Sequence, residues 1–257
     1  MKITLEGKVT VITGATKGIG LGIAKVFGKE GSKIAICGRN EKSLENALGE
    51  LRQDGIECYG MAFDVSDEKM FSKFADNVEN IFGGIDIWIN NAGIYPQSKI
   101  TDMSTNDWNY TFQANVNSVF IGSKLAKEKL IKRNGGVLIN ASSFAALMPS
   151  VTSGAYAATK SAVYSMTKSL AAELAPKNIR VFGYIPGVIA TDMTKEVIEK
   201  GEDTVLSQLA LNRVGNVEEV AYPLLFLSSD YASYITGTFI EISGGKFCVQ
   251  NPSQGWD

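Results

Sequence analysis

Lys8-Val9-Thr10-Val11-Ile12-Thr13 runs straight into Gly14-Ala15-Thr16-Lys17-Gly18-Ile19-Gly20. The first six residues are apolar or β-branched over most of their length and read as a buried strand. Leu21, Ile23, Ala24, Val26 and Phe27 then recur at helical spacing up to Lys29 and Glu30, and Gly31 is placed to end the helix. A strand, a glycine-rich turn and a helix make the first half of a dinucleotide-binding unit. The glycines let the backbone approach a pyrophosphate, and the helix amino end supplies amide donors and a favourable dipole. The spacing is Gly-x-x-x-Gly-x-Gly, not the commoner Gly-x-Gly-x-x-Gly. The placement between strand and helix therefore carries the reading, with Gly14, Thr16, Lys17, Gly18, Ile19 and Gly20 as its contacts.

The next strand, Lys33-Ile34-Ala35-Ile36-Cys37, ends at Gly38-Arg39-Asn40. An acid at this point holds the ribose 2′-hydroxyl in many NAD-binding folds. Here there is none. Arg39 is placed to meet a 2′-phosphate with its planar fork, joined by Lys17. That predicts NADP(H); a solvated arginine at the start of a loop is the plainer alternative.

Chemistry enters with Tyr156-Ala157-Ala158-Thr159-Lys160 and Ser143 upstream. Residues four apart share a helix face, so a phenol and an ammonium lie side by side. Free tyrosine titrates at about 10, and a neighbouring cation lowers that value. A serine hydroxyl can orient a carbonyl oxygen for the same phenol. A second copy of the spacing, Tyr164-Ser165-Met166-Thr167-Lys168, shows that spacing alone decides nothing. Ligands bind beyond the carboxyl ends of strands in open α/β sheets. The strand Val137–Ala141 ends at Ser142-Ser143, and the next helix starts near that edge. Tyr164 then lies roughly 12 Å farther down the axis than Tyr156. Ser142 rivals Ser143.

With these motifs in place the chain resembles the short-chain dehydrogenase/reductase family over nearly its full length. The resemblance implies that Asp64-Val65 meets the adenine and that Asn91, Ala92 and Gly93 form the turn after the fourth strand. It favours Ser143 over Ser142. It gives Asn115 the support of a proton-relaying water, and Ser143, Tyr156 and Lys160 the active site, with Lys160 also holding the nicotinamide ribose. Pro186-Gly187 and Thr191, with Val188 and Ile189 between, match the loop over the nicotinamide. The expected activity is NADP(H)-dependent interconversion of a ketone and a secondary alcohol. Phe182 and Ser243 depart from the family pattern, which bears on local packing or subunit contacts. A non-catalytic NADP(H)-sensing regulator on the same fold is the alternative.

Strand-like segments at 57–61, 85–89, 137–141, 179–184 and 238–242 alternate with helical ones, including a long helix from Thr105 to about Arg133. This predicts an α/β, doubly wound, Rossmann-like parallel sheet, filling residues 1–257 as a single domain. The net charge of −2 excludes a general basic field for nucleic acid. No apolar run approaches the ~20 residues of a membrane span. The start lacks an apolar secretory segment, and the three cysteines show no paired spacing, so a cytoplasmic location is expected. There is no histidine, which excludes Ser-His-Asp hydrolysis and histidine metal sites. No metal is expected.

The small residues of the helix from Ala155 to Ala175 permit close helix packing, and the family resemblance implies a homotetramer or homodimer. Residues 188–211 mix apolar positions such as Ile189, Met193, Val197 and Leu209 with charged ones and a break at Gly201. They read as a substrate lid, or as a fixed surface helix pair. The substrate is a carbonyl or alcohol compound: a 3-oxoacyl group on acyl carrier protein, a hydroxysteroid, a polyol or a small ketone. Lys129, Lys132, Arg133 and Lys177 are either a basic patch near the site for the acidic carrier protein or ordinary solvated charge.

Overall fold

A computed structural model describes residues 3–246 and 248–256, without the side chains of residues 196–198, 200 and 202. One sheet runs through it: β1 (Val9–Thr13), β2 (Lys33–Gly38), β3 (Cys58–Ala62), β4 (Ile87–Asn90), β5 (Gly136–Ala141), β6 (Ile179–Pro186) and β7 (Phe239–Ile242). All neighbours are parallel, in the order β3-β2-β1-β4-β5-β6-β7. The helices are α1 (Gly18–Lys29), α2 (Glu41–Gln53), α3 (Glu68–Phe82), α4 (Thr105–Phe112), α5 (Ser118–Lys132), α6 (Gly154–Leu174), α7 (Asp192–Leu206) and α8 (Val217–Ser228). This is the doubly wound Rossmann-like arrangement that the alternation predicts.

Side chains alternate across the inner strands and bury both faces, which is why these strands read as continuous apolar runs, whereas the edge strands β3 and β7 are only partly buried. Ile12, Ile36 and Ile139 meet Phe27 of α1, Leu51 of α2 and Leu224 of α8 on one face. Val11, Trp88 and Leu138 meet Phe74 of α3, Leu130 of α5 and Leu174 of α6 on the other. Local chemistry agrees with this packing. The Asn40 side chain accepts from Ser43 N at 2.8 Å to start α2, whose Leu44, Ala47, Leu48 and Leu51 form its buried stripe. Asp67 accepts from Lys69 N and Met70 N to start α3, and Gly83 at φ +83° ends it.

After β3 the chain crosses to β4 on the far side of β1, so the connections leave the carboxyl ends of β1 and β4 in opposite directions. A crevice opens there, the topological switch point. The long helix expected from Thr105 is helical throughout but widens to a π-turn at Gln113–Asn117. The inserted residue turns Asn115 fully inward.

Of the two readings of the basic residues, a patch near the site is the one the fold overturns. Lys129, Lys132 and Arg133 end α5 just before β5 begins, and Lys177 precedes β6, so all four sit at the amino edge of the sheet, opposite the crevice. Lys129 is buried at 2.5 Å from Asp76 and 2.7 Å from Glu79. Lys132 lies 3.0 Å from Glu79 and Arg133 lies 3.2 Å from Asp86. Carboxylates distant in sequence neutralise the run.

Candidate active site

A cavity of about 840 Å³ opens over the carboxyl ends of the central strands. Apart from Asn115, every site residue named from the sequence lines it: the glycine turn, Arg39, Asp64, Val65, Asn91 to Gly93, Ser143, Tyr156, Lys160, Pro186 to Ile189 and Thr191. Ile189 is buried and also packs into the core.

The cradle fits a dinucleotide by shape and by donors. Gly14 has φ +64° and Gly18 φ +56°, conformations in the left-handed region that favours glycine. A Cβ on Gly14 would lie 2.7 Å from Ala92 Cα, and one on Gly20 would lie 2.6 Å from Asn91 Nδ2. Lys17 begins α1 in an extended conformation, and no side chain caps the helix. Its first amide donors therefore face the cleft unsatisfied by the usual cap, ready for a phosphate.

Across the cleft, β5 ends at Ser142-Ser143 and α6 begins at Gly154. Ser143 Oγ accepts from Ala145 N at 3.2 Å, which fixes its direction, and its hydroxyl is hydrogen-bonded to Tyr156. Lys160 Nζ donates to Ala141 O at 2.9 Å and lies 5.6 Å from the centre of the Tyr156 ring. Burial pushes the Tyr156 phenol up to about 12, opposed by Ser143, and Tyr95 adds to the rise. Burial also draws Lys160 down to about 8. Burial therefore holds Tyr156 protonated at neutral pH.

The model of the short chain dehydrogenase family matches residues 8–202. The 3-oxoacyl-[acyl-carrier-protein] reductase FabG of Aquifex aeolicus is 37% identical over 96% of this chain and 100% of its own length. The cyclopentanol dehydrogenase of a Comamonas strain is 34% identical over 94% of this chain and 97% of its own. A 7α-hydroxysteroid dehydrogenase solved with NADH and 7-oxo glycochenodeoxycholic acid superposes with a TM-score of 0.90 at 33% identity, covering 95% of this chain and 96% of that one.

The chain is a short-chain dehydrogenase.

As a member of that oxidoreductase family it works with a nicotinamide cofactor. Two features of this short-chain dehydrogenase differ from what the sequence leads one to expect or lie outside it, and one agrees with it. Asn115 does not line the cleft. Its Oδ1 accepts from Ile94 N at 2.8 Å, and its Nδ2 donates to Ile94 O at 2.9 Å and Thr159 Oγ1 at 3.1 Å. Thr159 in turn donates to Tyr156 O at 2.6 Å. The Asn115 amide therefore ties the cleft wall to the first turns of α6. As its axial distance along α6 predicts, Tyr164 lies away from the cleft, stacked on Phe239 with ring centres 4.1 Å apart and with Lys168 Nζ 4.7 Å from its own ring centre. The second difference is a set of groups that the sequence motifs do not reveal as site residues. Tyr184 donates to Asn91 Oδ1 at 2.8 Å, Tyr95 meets Tyr156 edge-on with centres 4.8 Å apart, and Gln208 and Lys246 face the cavity. None belongs to a motif, and only the fold brings them to the cleft.

Burial sets a pH dependence of stability. Lys160 titrates at about 8 in the fold against 10.5 otherwise, so the folded state holds this proton less tightly than the unfolded chain. The resulting destabilisation is fully present below about 8 and fades as pH rises to 10.5. Lys160→Met should raise unfolding stability by about 2 kcal/mol near neutral pH, and by less as pH approaches 10. Urea unfolding of both proteins at the two pH values checks this; an equal gain at both would contradict it.

Proposed function

We propose that this chain is an NADP(H)-dependent reductase that interconverts a ketone and a secondary alcohol. The observation that carries the reading is that Ser143, Tyr156 and Lys160 share one cleft with the glycine cradle of α1. The bound cofactor supplies or accepts the hydride.

The chain's own groups do the rest. Tyr156, kept protonated by burial, gives its proton to the carbonyl oxygen as the alcohol forms. Ser143 donates a hydrogen bond to the same oxygen and holds it against the phenol. Lys160, fixed on Ala141 O, stabilises the phenolate left behind and holds the nicotinamide ribose. Asn115 acts as a positioning residue: it fixes Ile94 and, through Thr159, the backbone of Tyr156.

The cations support NADP(H). Arg39 donates to the Tyr110 hydroxyl, a neutral partner that a phosphate can replace. Lys17 is 3.1 Å from Asp192, and both side chains are largely exposed, so this pair is weak. No carboxylate ends β2. The 3-oxoacyl, cyclic and steroid compounds in the relatives' names support a ketone or secondary-alcohol substrate, with acyl carrier protein as one carrier.

The chain works as one unit, with residues 188–211 as a lid. Met193, Thr194, Val205 and Gln208 face the cleft, and α7 is interrupted at Gly201. Val197 and Ile198, which the lid reading also uses, have side chains outside the described residues. Exposed Phe120 on α5 and the exposed small stripe Ser161, Ser165 and Ser169 on α6 support a homotetramer or homodimer.

Tyr156→Phe should lower ketone reduction by at least ~10²-fold while NADPH still binds, and Tyr164→Phe should leave turnover near that of the parent. Steady-state assays with NADPH and a ketone panel read both. NADPH binding with no ketone turned over would favour a sensor instead. Arg39→Asp should lower the preference for NADP over NAD by roughly 10²-fold, because a charge-assisted contact is lost and a repulsion added. Equal use of both cofactors by the parent protein would contradict the assignment.

A further inference from the structure

Among the described residues, four cations line the cleft: Lys17, Arg39, Lys160 and Lys246. The first three belong to the cofactor and the proton donor. Lys246 does not. It lies past β7, where the chain returns over the segment that follows Ser143. Its Nζ donates to Gln208 Oε1 at 2.5 Å and sits 5.2 Å from the centre of the Phe144 ring. Among the described residues it makes no ion pair. The acids that line the cleft among the described residues are engaged elsewhere: Asp64 accepts from Ser66, and Asp192 meets Lys17. A surface lysine normally carries its ammonium out into water. This one is half-buried and folded inward, with a neutral amide and an aromatic ring as partners. Burial lowers its pKa accordingly.

We propose that Lys246 and Gln208 form a subsite for the carboxylate of an anionic ketone substrate. The proposal rests on the reductase reading, since it places the carboxylate in the cleft where Ser143 and Tyr156 meet the carbonyl. Phe144 directly follows Ser143, so the subsite lies close to the reacting carbon, on the lid side. One ammonium with one amide matches a monoanion with two acceptor oxygens. The ammonium exchanges Gln208 Oε1 for a carboxylate oxygen, and the freed amide turns its N–H toward the other. A dianionic phosphate calls for the arginine fork or helix amino end found at the opposite side of the cleft. The exposed Gln208 closes on the anion with the lid.

The test compares levulinate and 5-oxohexanoate with their ethyl esters, using NADPH. The acid should exceed its ester in kcat/KM by roughly tenfold, the scale of one charge-assisted hydrogen bond. Lys246→Met should collapse that ratio toward one, Lys246→Arg should keep most of it, and Lys246→Glu should reverse it. Calorimetric titration of the acids into protein saturated with NADP⁺ gives a readout without turnover; binding should weaken about tenfold in Lys246→Met. Esters reduced as well as acids, with a ratio that Lys246→Met leaves unchanged, would overturn the subsite and leave the reductase reading intact. Acid binding that depends on Lys246 with no ketone reduced would retain the subsite and overturn the reductase reading.

Discussion

Everything at the cleft depends on how closely the turn after β1 meets the turn after β4. Asn91 Nδ2 donates to Thr13 O at 2.9 Å and Gly14 O at 3.1 Å, while Thr13 Oγ1 accepts from Asn91 N and Ala92 N, both at 3.0 Å. Tyr184 reaches from β6 to hold the remaining oxygen of Asn91. Each such bond is worth about 1 kcal/mol net, but the steric term is stricter, because no side chain fits at Gly14 or Gly20. The lock sets the two strand ends at the switch point, leaves the amino end of α1 open above them, and gives the cleft a rigid floor.

The opposite wall trades stability for chemistry. Lys160 and Tyr156 are buried with few polar partners, and each is held away from its charged form. A core built for stability alone would replace both with apolar groups. Asn115 shows how the fold tolerates this. The π-turn costs α4 and α5 their regular continuity and gives in exchange one amide that joins the Ile94 backbone to Thr159 and so to α6. Rules of local consistency are broken where function sits.

Much of this was legible in the sequence. β1, α1 and the glycine turn combine unbroken burial with residues that only a sharp strand-to-helix turn requires, so local chemistry and global fold say the same thing. The choice of Tyr156 over Tyr164 followed from axial distance along α6, and the stacking of Tyr164 on Phe239 agrees. The π-turn was hidden because one extra residue inside a long helical pattern barely disturbs its period. The run from Lys129 to Arg133 stayed ambiguous because Asp76, Glu79 and Asp86 meet it only in three dimensions. The upward push of burial on Tyr156 was not legible, because spacing reveals a neighbouring charge but not the depth of burial. Lys246 carried no signal, since its place over Phe144 depends on the path of the chain after β7.

The central claim is that one cleft holds a dinucleotide with its reactive end beside Tyr156. A crystal structure of the protein with NADP⁺ tests it most directly. The account predicts the adenosine end near Asp64 and Arg39, the pyrophosphate over the amino end of α1, and the nicotinamide against Tyr156 and Lys160. A nucleotide bound outside this cleft, or one whose nicotinamide lies away from Tyr156, would contradict it.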